Sequence, residues 1–93
     1  MSSEKGKTYK IRLSSKAAKY LSSLDKTKAT RILNKLELLK AGPYHLPGAK
    51  PLTGQFAGLH RLRIGNCRAT YIVNEGELIV IVLVIGPRGD IYK

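Results

Sequence analysis

Arg61, Arg63, Arg68, Arg88 and Tyr92 are the residues of this chain whose types and spacing could do chemistry. The segment Gly58-Leu59-His60-Arg61-Leu62-Arg63-Ile64-Gly65-Asn66-Cys67-Arg68-Ala69-Thr70-Tyr71 reads as two short strands joined by a Gly-Asn turn. Side chains two apart on a strand share a face, so Arg61 and Arg63 project together while Leu62 and Ile64 turn to the other side. Arg68 opens the returning strand beside them. A last strand leading into Gly86-Pro87-Arg88-Gly89-Asp90-Ile91-Tyr92 can deliver Arg88 and Tyr92 to the same face. Four guanidiniums and a phenol then converge with no carboxylate beside them on the strands. Clustered positive charge repels itself, and guanidinium is shaped to hold phosphate.

The chemistry open to such a set is narrow. It has no metal-ligand spacing and no carboxylate pair for acid-base work, and the chain has no Gly-rich strand-to-helix loop for a nucleotide. RNA, however, brings its own nucleophile. The ribose 2′-OH can attack the adjacent phosphate and expel the 5′-oxygen if a proton is taken, the phosphorane charge is stabilised and the leaving group is protonated. Arginine suits the middle task. Arg63 cannot serve as the base, since guanidinium keeps its proton up to a pKa above ~12. Tyr92 can, if neighbouring guanidiniums lower a phenol whose ordinary pKa is about 10. Strand alternation points His60 away from Arg61 and Arg63. The identity of the base stays open.

Positioning these groups falls to one small domain. The chain has 93 residues and a net charge of +11, from 17 Lys and Arg against 6 Asp and Glu. That excess exceeds what solubility needs and favours a polyanionic partner, nucleic acid or an acidic protein. No helix pattern shows a broad apolar face with a basic rim, which argues against a membrane surface. The single cysteine cannot close an internal disulfide and fits a reducing cytosol, so the expected location is cytoplasmic. The longest apolar run, residues 78–85, is too short to span a membrane. Residues 1–7 read as a frayed, disordered polar tail without a signal-peptide core, and residues 8–93 as the domain.

Along the chain, residues 8–13 alternate as a half-buried strand. Ser14 and Ser15 suit the start of a helix carrying Ala17, Tyr20, Leu21 and Leu24 on one face. Asp25 caps a second helix with the stripe Ala29, Ile32, Leu33, Leu36 and Leu39, and Gly42-Pro43 stops it. Residues 42–58 show no period and read as a long loop. Strands follow at about 59–64, 67–74 and 78–85, with Asn74-Glu75-Gly76-Glu77 turning between the last two. The final strand is apolar on both faces, which marks a central strand buried on both sides or nearly so. Tyr71 reads as core and Cys67 as a half-buried residue. The lysines at 16, 19, 26 and 28 read as a solvated helix face or a contact for RNA backbone. The order β-α-α-β-β-β gives an α+β domain, a helical hairpin packed on a mainly antiparallel four-stranded sheet.

Over residues 9–93 the chain resembles a RelE-type toxin of the RelE/ParE toxin–antitoxin superfamily. The resemblance rests on basic-x-basic (Arg61, Arg63), the Gly turn, Arg-x-x-Tyr (Arg68 to Tyr71), the apolar strand, then Gly-x-Arg with a Tyr near the end (Arg88, Tyr92). Upstream, Lys50-Pro51-Leu52-Thr53-Gly54 is similar to the family's approach to the basic strand. The resemblance implies metal-free, cofactor-free cleavage of mRNA in the ribosomal A site by 2′-OH attack. It assigns catalysis to Arg63, Arg68, Arg88 and Tyr92, and phosphate or RNA binding to Arg61 and Lys50. Arg61 and Arg63 replace the lysines usual in bacterial members, so a lysine-as-base mechanism does not transfer. The implied partners are an acidic RelB-like antitoxin, the ribosome and mRNA. Two alternatives stand beside this reading: a ParE-like DNA gyrase inhibitor, which needs no catalytic set, and a basic RNA-binding module without catalysis.

Overall fold

The alternation in Lys10-Ile11-Arg12-Leu13 forms strand β1 (Lys10–Leu13), and Ser14 converts it directly into a helix. In this computed structural model, which describes residues 8–87, the Ser14 Oγ accepts from the Ala17 amide at 3.0 Å and caps α1 (Ser15–Ser22). Asp25 repeats the device, accepting from the Lys28 amide at 2.8 Å to open α2 (Lys26–Glu37). A 3-10 turn, Leu38–Lys40, ends the helical hairpin just before Gly42-Pro43. The tail expected over residues 1–7, and both Arg88 and Tyr92, lie outside the described residues.

Four further strands follow: β2 (Ala49–Pro51), β3 (His60–Ile64), β4 (Cys67–Asn74) and β5 (Ile79–Pro87). They make a five-stranded sheet in the order β1-β5-β4-β3-β2. β1 runs parallel to β5, and the other neighbours are antiparallel. The expected class and helical hairpin hold, but the sheet has one strand more than the four expected. The extra strand, β2, lies inside the segment expected to be a loop. Three residues are too few to show alternation, and Pro51, which lacks an amide proton, is tolerated because β2 is an edge.

One side of the sheet holds the core. Ala17, Leu21, Ile32, Leu36 and Leu39 from the helices meet Leu62, Ile64, Ala69, Tyr71, Val80, Val82 and Ile85 from the strands. Tyr71 is fully buried there, and its hydroxyl donates to the Pro43 carbonyl at 2.5 Å. Ser14 also locks the crossover. Its amide donates to the Val82 carbonyl at 2.9 Å and its hydroxyl to the Leu83 carbonyl at 2.6 Å. These carbonyls flank the irregularity where Thr70 pairs with Val84 but Tyr71 with Val82, leaving Leu83 without a partner on β4.

Two strand expectations need correction. β5 is central but not buried on both sides: Val80, Val82 and Ile85 are buried, whereas Ile79, Ile81, Leu83 and Val84 are half-buried. Both helices pack on one face, so alternate side chains of an all-apolar strand meet different surroundings. Leu78 is not the first strand residue but ends the turn in a left-handed conformation, φ 55°. Its carbonyl is anchored by the Lys10 amide at 2.8 Å and its side chain packs against the core, contacts that hold an unfavourable backbone state.

Candidate functional site

The register of the sheet sets out the cations in two ranks. Lys50 on β2 pairs with Arg61 on β3, which pairs with Thr70 on β4. One step along, Arg63 pairs with Arg68, which pairs with Gly86 on β5. Residues directly opposite in antiparallel strands share a face, so Lys50, Arg61, Arg63, Arg68 and Thr70 all lie on the side away from the helices. Their neighbours Leu62, Ile64 and Ala69 occupy the buried side. The alternation that buries one set raises the other.

Two local features fix the geometry. Gly65, at φ 58°, is the first of two turn residues between the paired Ile64 and Cys67, and that turn brings Arg68 back opposite Arg63. Gly48, at φ 92°, accepts the Arg63 amide at 3.1 Å and continues β2 along β3. An added Cβ there would be strained by the positive φ and would sit 3.4 Å from the Arg63 carbonyl oxygen. The edge strand that carries Lys50 is thus tied to the strand that carries both arginines.

Arg63 is exposed, and Arg61 and Arg68 are half-buried. The Nε atoms of Arg61 and Arg68 are buried without a hydrogen-bond partner. A buried donor left unpaired costs roughly 1–3 kcal/mol. Among the described residues, no carboxylate forms an ion pair with Arg61, Arg63 or Arg68; Glu37 pairs instead with Lys40, at 2.7 Å, at the end of the helical hairpin. Guanidiniums without a counter-ion have the charge and the geometry to pair with an oxyanion. Phosphate oxygens supply the negative charge and the acceptors that the fold withholds.

His60 and Tyr71 lie on the opposite side. His60 pairs with Tyr71 across β3 and β4, and their rings stack with centroids 5.3 Å apart and planes at 20°. The Tyr44 ring meets His60 edge-on at 5.4 Å. Burial lowers the His60 pKa and pushes Tyr71 up to about 12. Glu75 accepts from the Tyr9 hydroxyl at 2.8 Å and from the Tyr44 hydroxyl. The hydrogen bond to Glu75 raises both phenols, Tyr44 to about 12. Tyr71 and Tyr9 are buried on the helix side, as expected for Tyr71 and for the inward face of the first strand, whereas the Glu75 contact shared by Tyr9 and the exposed Tyr44 was not foreseen. Cys67 is half-buried, with its Sγ 3.7 Å from the Tyr20 hydroxyl.

The structure therefore brings together Arg61, Arg63, Arg68 and Lys50, four of the six candidate residues. Thr70, only 3% exposed in the rank of Arg61, is a polar member of this face that was not singled out. Alternation from Arg68 carried that signal. The described part of β5 ends at Pro87, opposite Cys67, with Gly86 beside Arg68. Arg88 and Tyr92 lie outside the described residues. Lys16, Lys19, Lys26 and Lys28 are exposed on the helical hairpin.

A hairpin of helices stands behind a mixed sheet whose free face carries Lys50, Arg61, Arg63 and Arg68, an α+β domain with one cationic face. Residues 11–92 match the family described as the ParE toxin of type II toxin–antitoxin systems, parDE, and the chain belongs to that family. It is a toxin of the RelE/ParE superfamily. Among solved structures, it is similar to the archaeal RelE–RelB complex from Pyrococcus horikoshii, with 29% identity and a TM-score of 0.76, covering 90% of this chain and 99% of that one. The RelBE2 toxin–antitoxin complex of Mycobacterium tuberculosis shares the fold at 24% identity and a TM-score of 0.77, covering 88% of this chain and 100% of that one. So does a mutant of the Escherichia coli toxin RelE in its free state, at 21% identity and a TM-score of 0.72, covering 89% and 86%. Two of these three structures are toxin–antitoxin complexes. Among curated protein sequences, none matches this chain.

Proposed function

We propose that this toxin is a ribosome-dependent, metal-independent endoribonuclease that cleaves mRNA in the A site by attack of the ribose 2′-OH on the adjacent phosphate. The observation that carries the reading is the pair of buried, unpartnered Nε donors on Arg61 and Arg68, set in a face whose cations meet no carboxylate among the described residues. Arg61 and Lys50 hold the RNA backbone, while Arg63 and Arg68 grip the scissile phosphate and stabilise the charge that builds on it. Arg88, one residue past the described end of β5, adds charge stabilisation at the leaving oxygen. To Tyr92 falls stacking on the nucleotide or a part in proton transfer. The hydroxyl of the RNA is the nucleophile, its 2′-oxygen bonds to phosphorus, and the 5′-oxygen leaves with a proton. The products are a 2′,3′-cyclic phosphate and a 5′-hydroxyl.

The site as a whole lacks a dedicated base among Arg61, Arg63, Arg68 and Lys50, so the ribosome is the natural source of alignment. Proximity and orientation are worth ~7–11 kcal/mol of barrier, and free RNA should be a poor substrate. The test is primer-extension mapping of mRNA in a translation extract, with and without the protein and with a chelator. Cuts inside codons that persist under chelation and fall about 10²–10³-fold in Arg88→Ala support the reading. Equal cutting of naked mRNA at the same positions contradicts it. The family described as ParE toxin favours a second reading, inhibition of DNA gyrase, which the same extract reports as gyrase-dependent DNA breaks without RNA cleavage.

A further inference from the structure

β5 changes its facing partway along. Tyr71 pairs with Val82 and Val73 with Val80, and these side chains belong to the core on the helix side. Thr70 pairs with Val84 and Arg68 with Gly86, on the side of the arginines. Even-numbered residues of β5 therefore face the helices up to Val82 and the arginines from Val84 on. Ile85, opposite Ala69, takes the core position instead. The reversal comes from Leu83, the extra residue of the bulge. It also accounts for the unbroken apolar run of β5, since each parity faces the core in turn. Arg88 stands two residues after Gly86, the spacing that keeps strand residues on one face.

We infer that Ser14 is a positioning residue for the arginine face: it holds the Leu83 bulge, and the bulge gives the end of β5 the facing that Arg88 inherits by alternation. Leu83 has no partner on β4, and β1 ends at Leu13, opposite Val82. The Leu83 carbonyl therefore has no donor in either ladder, and a carbonyl left unpaired in this part-buried place is costly. Ser14 supplies the donor. Its hydroxyl donates to the Leu83 carbonyl at 2.6 Å and its amide to the Val82 carbonyl at 2.9 Å, while the same Oγ accepts from the Ala17 amide at 3.0 Å. One side chain thus caps α1 and pins the bulge. Were the bulge to slip out, Thr70 would pair with Leu83, Arg68 with Ile85 and Cys67 with Gly86. Ile85 would leave the core for the arginine face, and every later residue would reverse. The role of Arg88 rests on the nuclease reading; the bulge and its pin do not.

Cys67, the only cysteine of the chain, reads this register directly, because it pairs with Pro87. Side chains directly opposite on two strands stand close enough to bridge. Under mild oxidation by glutathione disulfide, Pro87→Cys should close an intramolecular disulfide with Cys67, and Gly86→Cys, on the opposite face, should not. Ser14→Asp keeps an acceptor to cap α1 but cannot donate to Leu83. It should lose the Pro87→Cys link, gain the Gly86→Cys link, and cut ribosome-bound mRNA about 10²-fold more slowly. Ser14→Thr, which can accept and donate, should behave as the parent protein does. Ser14→Gly replaces Ser14→Asp if the added carboxylate disturbs the fold, since glycine starts a helix nearly as well. Deleting Leu83 from Ser14→Asp leaves a regular ladder with the native facing and should restore link and cleavage together. A missing Pro87→Cys link or a Gly86→Cys link in the parent protein would overturn the proposal. So would a Ser14→Asp protein that keeps the Pro87→Cys link, or one that loses it yet cuts normally. If the parent protein cuts no mRNA, the nuclease reading alone falls, and the two links still decide whether Ser14 sets the facing of β5.

Discussion

The two faces of the sheet are cut from the same strands, yet they treat polar groups in opposite ways. On the helix side, polar groups find partners: the buried Tyr71 donates to Pro43, and the buried Tyr9 and the exposed Tyr44 donate to Glu75. On the free side, the Nε donors of Arg61 and Arg68 are buried and unpaired, and the guanidiniums carry no counter-ion among the described residues. A folding core satisfies its donors internally. A face that leaves two charged donors unsatisfied is less stable than it could be. Residues one position apart on β3 thus meet different surroundings: Leu62 is buried in the core, and Arg61 and Arg63 turn to the free face.

The comparison is broken most sharply from the helix side. Leu62→Ala removes a side chain with no exposed surface, beneath the arginine strand, and should cost about 2–5 kcal/mol of unfolding free energy. Denaturant melts measure this, and a loss well under 1 kcal/mol would mean that the core does not sit where it is described. Tyr71→Phe keeps the ring but strips the Pro43 carbonyl of its donor, for an expected loss of about 1 kcal/mol by the same method.

The smallest effect is a pH dependence. Tyr44 and Tyr71 have folded pKa values raised from 10.0 to about 12. Their contribution is therefore fully present below pH 10 and is lost as pH rises through the window up to about 12, where the unfolded chain releases protons that the folded chain retains. His60 acts at the other end. Burial lowers its pKa from 6.5, so stability should fall as pH drops below about 6.5, because the unfolded chain then takes up the proton first. Melting temperature against pH should show both flanks. His60→Gln should flatten the acid flank alone, and Tyr44→Phe should reduce the alkaline one. An unchanged acid flank in His60→Gln would remove His60 from the account.

Much of the arginine face was legible because its grammar is local. A period of two over residues 61–64 and 67–70, with Gly65-Asn66 between them, fixes both the face and the register of Arg61, Arg63 and Arg68. Ser14 and Asp25 marked the helix starts through cap chemistry that acts over three residues. What escaped was short or distant. β2 has three residues and a proline, so nothing in its pattern announces a strand, and only pairing with β3 places Lys50 beside Arg61. Glu75 joins phenols 66 and 31 residues away in the chain, a clamp that no spacing rule encodes. Leu78 looked like strand because it is apolar, but its backbone is set by the Lys10 anchor.

The central claim, that the free face is kept unsatisfied for an RNA phosphate, is tested most directly by two readings on one variant, R61A/R68A. Each substitution removes a buried, unpaired donor and a like charge. The account predicts that cleavage of ribosome-bound mRNA falls at least ~10²-fold, while unfolding free energy is unchanged or rises by up to about 1–3 kcal/mol per site. Cleavage within a few-fold of the parent protein, or a clear loss of stability, would contradict it.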